Sequence, residues 1–218
     1  LGDMDVYGLL DRFPAHLAFT PSEEEQGLAS LEAMGIGPGD KFVCFQARDS
    51  AYLDVARPMN LKAGMDWSWQ DTRDCSIENY ILAAEHLTEL GYFAIRMGKH
   101  VNAPLKCGNP RIIDYSTQFH SDFMDVFLSA RCSFFIGGGA ALNYLPTLFR
   151  KPVGFGNMHK LWDVQTAQYG AAVIILKKFY SEERNRLLTY REVLDLGLAR
   201  FSTKVPAHKR LVDSLGLK

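Results

Sequence analysis

The sequence has no surplus of charge: 24 basic against 25 acidic residues leave a formal charge of -1 over 218 residues. A chain so balanced has no overall field with which to hold nucleic acid or an anionic membrane, so any anionic ligand must be gripped by a local cluster. Paired cysteines are also missing. Cys44, Cys75, Cys107 and Cys132 lie far apart with no CxxC, which argues against a zinc framework or a disulfide-stapled secreted module and suits a reducing cytoplasm. No run approaches the roughly 18 to 20 apolar residues of a membrane helix. The opening LGDMDVYGLLDRF lacks the basic and apolar regions of an export signal. There is no GxGxxG, no P-loop, no GxSxG elbow and no HExxH pair, and the one Asp-x-Asp, Asp3-Met4-Asp5, has no strand before it. Dinucleotide oxidoreductases, P-loop NTPases, serine hydrolases, zincins and metal-dependent sugar transferases thereby lose their usual signatures. No metal site and no bound cofactor are expected, and there is no internal repeat or low-complexity tract.

What is present is a 47% hydrophobic composition, enough for a sizeable core, arranged in an alternation of strands and helices. Thr20-Pro21-Ser22 followed by three glutamates combines a capping residue, a first-turn proline and acidic residues, which predicts a helix from about Pro21 to Met34. Gly35, Gly37, Pro38 and Gly39 stop it, and KFVCFQ at 41–46 reads as a buried strand. Ala47 to Asp74 shows neither period and reads as a long functional or disordered loop; its Trp67 and Trp69 would also suit a partner-protein contact. SIENYILAAEHLTEL at 76–90, ended by Gly91, reads as an amphipathic helix, and YFAIRM at 92–97 as the next strand. RIIDYS at 111–116 and CSFFIG at 132–137 read as strands flanking a helix from Ser121 to Arg131. A helix shortened by Pro146 follows at 140–149, then strands at 153–157 and 171–176 and a closing helix from Thr189. Strand, helix, strand in this order predicts an α/β, Rossmann-like open parallel sheet with helices on both faces.

Such sheets bind ligands at the carboxyl ends of their strands, and the candidate residues fall there. Gly137-Gly138-Gly139 ends one strand and opens into a helix, which presents backbone N–H groups suited to phosphate; the plainer alternative is a tight turn. Arg48 and Asp49 follow the first strand, where an arginine can fork onto a phosphate and an aspartate can accept a proton; the alternative is a surface ion pair. Arg73, Arg96 and Lys99 extend the same edge and would gather with Arg48. Asp114, Ser121 and Asp122 continue it, although Ser121 is equally read as a helix cap and Asp122 as a first-turn acid. His100 and His120 lie near the edge, while His16, His86, His159 and His208 are scattered.

Several segments in this order resemble a family of bacterial glycosyltransferases of surface-polysaccharide gene clusters. They are KFVCFQARDSAYLD, DTRDCSIENYILAAEHLTELGYFAIRMGK, RIIDYS with SDFMDVFLSARCSFFIGG, and LFRKPVGFGN, which together cover most of residues 41 to 157. The family is similar to two-domain sugar transferases of the GT-B type and, more distantly, to fucosyltransferases. Gln46 stands where the latter carry a His, and Asp74 where the nearer family has Asn. The resemblance implies that residues 1–40 are a linker and lead-in helix from a missing or truncated N-terminal domain, and that 41–218 form a Rossmann-like domain binding a nucleotide diphosphate sugar. It also implies Arg48 as the residue meeting the donor phosphate. The expected activity is metal-independent, inverting sugar transfer to a saccharide or lipid-linked acceptor, in the cytoplasm or at the inner face of the membrane. A non-catalytic nucleotide-sugar-binding module and another phosphate-handling enzyme on the same type of sheet are the alternatives.

Overall fold

The computed structural model describes residues 5, 7–60, 73–158 and 172–198; Trp67, Trp69, His159, His208 and the end of the expected closing helix lie outside them. A short helix α1 (Leu9–Arg12) leads into α2 (Pro21–Ala33), then strand β1 (Phe42–Gln46) and helix α3 (Ala51–Asn60). A 3₁₀ turn at Ile77–Tyr80 runs into α4 (Ile81–Glu89) and strand β2 (Phe93–Arg96). Strand β3 (Ile112–Ile113), helices α5 (Tyr115–Gln118) and α6 (Asp122–Arg131), and strand β4 (Phe135–Gly137) come next. A 3₁₀ turn at Ala141–Asn143, α7 (Tyr144–Leu148), β5 (Val153–Met158) and β6 (Ala172–Leu176) follow. The described part ends with the hairpin β7 (Tyr180–Ser181) and β8 (Arg186–Leu187) and helix α8 (Tyr190–Asp195).

The six principal strands form one sheet in the order β3-β2-β1-β4-β5-β6, every pairing parallel. This is the Rossmann-like order: the chain winds outward in one direction from β1 and then in the other from β4. β1 lies at the centre, so both its faces are covered and its alternate side chains enter different cores. Phe42 and Cys44 join Met124, Phe127 and Leu128 of α6 and Leu31 of α2 on one face. Val43 and Phe45 join Tyr80 and Ala84 on the other. Burying both faces of a strand explains the unbroken apolar run FVCF.

The lead-in helix belongs to the first of these cores. Thr20 caps it as expected, in a reciprocal capping box with Glu23, and Gly27 lets the ring of Phe127 come so close that a Cβ there would lie 2.2 Å from it. Phe19 stacks on Phe149 at 5.9 Å and meets Phe127 at 5.1 Å, and Arg131 of α6 pairs with Glu24.

Four elements depart from the sequence expectation. The stretch expected as a loop from Ala47 begins α3 at Ala51, whose N–H is received by the Asp49 carboxylate at 3.0 Å; Asp54 and Pro58 had disguised its period. In RIIDYS only Ile112 and Ile113 are strand, because the Asp114 carbonyl accepts the N–H groups of Thr117 and Gln118 as α5 begins. Residues 140–149 divide into a 3₁₀ turn and a five-residue α7, in which Pro146 supplies no N–H. The β7–β8 hairpin, turning at Asn185 with φ 48°, carries no strong turn signature in the sequence.

Candidate functional site

β1 and β4 are adjacent, with Gln46 opposite Gly137 in register, yet the chain leaves them in opposite directions. A crevice must open beyond their carboxyl ends, between α3 on one side and the 3₁₀ turn before α7 on the other. It is a cavity of about 520 Å³, walled by Gln46, Arg48, Asp49 and Tyr52 from the β1 side and by Ala140, Ala141, Leu142 and Leu145 from the β4 side. Arg73, Lys99, His100 and Asp125 complete the wall. Of the residues expected to meet a ligand, Arg48, Asp49, Arg73 and Lys99 are brought together here.

Each of those cations already holds a partner. Arg48 forms an ion pair with Asp74, the two side chains 10% and 24% exposed. Arg73 donates from Nε to the Gly139 carbonyl at 2.9 Å. Around them residues 73–75 form a strap over the strand ends: the Cys75 N–H meets the Arg48 carbonyl at 2.9 Å. Asn157 Nδ2 donates to the carbonyls of Arg73 and Asp74 at 3.3 Å, and Lys177 Nζ to that of Asp74 at 3.0 Å. Lys99 pairs with Asp122 at 2.6 Å on the exposed rim; the carboxylate holds the ammonium pKa up and the ammonium pushes the carboxyl pKa down. Asp49 spends both oxygens on backbone N–H groups, of Ala51 and of Asn102, each at 3.0 Å.

Arg96 and Asp114 lie elsewhere. Both are buried, and Arg96 donates to the Ala103 carbonyl at 2.8 Å and to Asp114 at 3.3 Å. Asp114 also accepts from the Leu105 N–H at 2.8 Å and the Thr117 hydroxyl at 2.7 Å. The pair fastens the loop after β2; Arg96 lines a neighbouring cavity and not the crevice between β1 and β4. Ser121 accepts the Met124 N–H at 3.2 Å and caps α6, so its hydroxyl has the plainer of its two roles.

Two glycines of the triplet, Gly137 and Gly138, serve close packing. None of Gly137, Gly138 and Gly139 has a positive φ. Instead, a Cβ on Gly137 would lie 2.5 Å from Asn143 Oδ1 and 2.9 Å from the Phe135 ring, and one on Gly138 would lie 3.2 Å from the Gly156 carbonyl. Asn143 Nδ2 donates to the Gly138 carbonyl at 2.7 Å. Among the described residues, the buried atoms Gln46 Oε1, Tyr80 OH and Asn143 Oδ1 have no hydrogen-bond partner, and all three belong to residues at the ends of β1 and β4 or packed against the glycine loop. Buried polar atoms are rarely left unmatched, and their concentration at one place marks it as unusual.

No protein-family model and no curated protein matches the chain. Among solved structures, the glycosyl transferase family 9 from Veillonella parvula DSM 2008 is similar with a TM-score of 0.48 and 12% identity, over 74% of this chain and 42% of that one. The chain therefore spans less than half the length of that structure.

Two further side chains in the cavity wall, those of Tyr52 and Asp125, were not singled out by the sequence. Tyr52 and His100 face each other with ring centroids 6.0 Å apart; Tyr52 belongs to the helix hidden in the supposed loop. Asp125 accepts from the Tyr115 hydroxyl at 3.0 Å and meets His120 Nε2 at 3.2 Å, and burial pushes its pKa up. Only its position one turn into a helix, after a polar cap, could have drawn attention to it. Ligand atoms of His120, Asp122 and Asp125 lie within 4.8 Å of one another, but His120 and Asp125 are bonded together and Asp122 to Lys99, so the cluster is an ion-pair network. No helix among the described residues is long and apolar enough to cross a membrane.

Proposed function

We propose that this chain is the donor-binding half of a glycosyltransferase, taking a nucleotide diphosphate sugar in the crevice between β1 and β4. The observation that carries the reading is the convergence of Arg48, Arg73 and Lys99 on one cavity at the reversal point of a Rossmann-like sheet, in a chain with no net positive charge to explain it otherwise. The sequence resemblance to transferases of surface-polysaccharide assembly supports it independently.

When the anomeric carbon parts from the donor, the bonding pair goes to the diphosphate oxygen and negative charge grows there. Cations aimed at that oxygen stabilise the transition state more than the ground state, and losing one such donor costs roughly 3 to 4 kcal/mol in the barrier. On this reading Arg48, backed by Asp74, and Lys99 at the rim take this task, and the transfer is metal-independent. The acceptor is a saccharide or lipid-linked hydroxyl, and the reaction takes place in the cytoplasm, at the inner face of the membrane where the acceptor is lipid-linked.

A second reading, a nucleotide-sugar-binding module without turnover, is favoured by Asp49. The carboxylate expected to accept the acceptor proton has both oxygens committed to backbone N–H groups.

Thermal unfolding in the presence of UDP, GDP, CMP, dTDP, ADP and NAD tests the proposal. A ligand at about a hundredfold excess over its Kd stabilises the fold by roughly 2.7 kcal/mol. One nucleoside diphosphate is expected to raise the midpoint, and Lys99→Ala and Arg48→Ala to abolish the rise; no response to any of the six rejects the donor-binding reading. Release of free nucleotide from the corresponding sugar donor then separates a transferase from a binder.

A further inference from the structure

The cavity at the switch point has a neighbour. A second cavity of about 510 Å³ lies on the other side of the segment after β1, and Ala47 and Asp49 belong to the walls of both. Arg48 lines the first cavity and Asp74 the second, so the guanidinium stands between a ligand in the first and the carboxylate behind it.

The Asp74 carboxylate is held where it is. Its own carbonyl receives Asn157 and Lys177, Arg73 before it is fastened to Gly139, and the Cys75 N–H after it is fastened to Arg48. Four strand ends thus fix the strap that carries it. With Arg48 and Asp74 largely withdrawn from water, the field of the carboxylate is weakly screened in the cavity. A phosphate reaching Arg48 meets a guanidinium whose charge is partly answered by Asp74, so each further negative charge on the ligand gains less there than beside an arginine without that carboxylate.

The carboxylate thereby sorts ligands by charge. A sugar bound through diphosphate is a diester at its outer phosphate and lacks the second ionisation there. A free nucleoside diphosphate gains that ionisation, with a pKa of about 6, and at neutral pH carries close to one more negative charge. We propose that Asp74 reduces the extra hold of this site on the free nucleoside diphosphate relative to the diphosphate diester, which eases departure of the product. The proposal rests on the donor-binding reading above.

Calorimetric titration of the whole chain with inorganic pyrophosphate and with dimethyl pyrophosphate tests the charge role without any nucleotide; UDP with UDP-glucose and GDP with GDP-mannose test it with one. Asp74→Asn keeps the size of the side chain and the backbone bonds of the strap. It should tighten pyrophosphate and the free nucleoside diphosphate by on the order of tenfold, and the corresponding diesters by much less. Asp74→Glu should keep the wild-type preference. Equal tightening of both members of each pair, or no tightening of pyrophosphate and the free nucleoside diphosphate, overturns the role of Asp74. If the pyrophosphate pair is sorted as expected while no nucleotide binds, the donor-binding reading falls and the charge sorting by Asp74 stands.

Discussion

Two arginines stand at the carboxyl ends of neighbouring strands, each paired with an aspartate from another part of the chain, and the structure uses them differently. Arg96 is the last residue of β2, opposite Phe45 of β1. Its side chain and that of Asp114 are 4% and 5% exposed, and the remaining capacity of the carboxylate is taken by Leu105 and Thr117. Arg48, beyond the end of β1, lines a cavity, and its aspartate sits on a strap across the strand ends. The same pair of residue types is a fastening in one place and a wall of the candidate site in the other. What separates them is the topology: β2 has parallel neighbours whose connections leave on the same side, whereas β1 and β4 part and leave a gap.

The contrast breaks if the buried pair proves dispensable. Asp114→Ala leaves the Arg96 charge uncompensated, together with the Leu105 N–H, and is expected to cost about 3 to 5 kcal/mol, the range for removing one partner of a buried ion pair. The shift in urea midpoint at constant slope measures it. A loss near zero would mean that Arg96 is not a fastening and would return it to the list of ligand contacts.

The β4 side of the crevice offers a second, smaller effect. Gly137→Ala puts a methyl against Asn143 and the Phe135 ring, both in buried positions, and overpacking of this kind costs roughly 1 to 3 kcal/mol. If the triplet served only to bare N–H groups to a ligand, the substitution would leave the stability of the unliganded chain untouched and weaken nucleotide binding alone. Thermal midpoints with and without nucleotide separate the two outcomes.

These differences bear on what a sequence can disclose. The central strand was legible because FVCF is apolar throughout, and α2 because Thr20, Pro21 and the glutamates spell a helix start. The parallel sheet followed from the alternation of elements, and the meeting of Arg48 and Lys99 from their positions after strands, whereas Arg96, expected to gather with them, does not line the crevice. The partners were not legible. Nothing local says that Asp74 reaches Arg48 across 26 positions or that Asp114 turns inward to Arg96, since both contacts are made by the tertiary fold. α3 escaped because Asp54 and Pro58 blur its period, and with it went Tyr52. Gly137 looked like a bared backbone because the buried Asn143 that needs its missing side chain is six residues on.

Ser121 gives the smallest effect and the sharpest division between scaffold and site. It stands beside the rim, immediately before the Asp122 that Lys99 holds, and its hydroxyl accepts the Met124 N–H. Ser121→Ala is expected to cost roughly 1 kcal/mol, the usual value of a lost helix cap, while the affinity for nucleotide stays that of the unaltered chain. A fall in affinity with stability unchanged would put the hydroxyl in the site instead. Since α6 also carries Asp125 into the cavity wall, loss of both together would show that the cap holds the site in place through the helix, a result that Ser121→Asp, which restores a capping oxygen, should reverse.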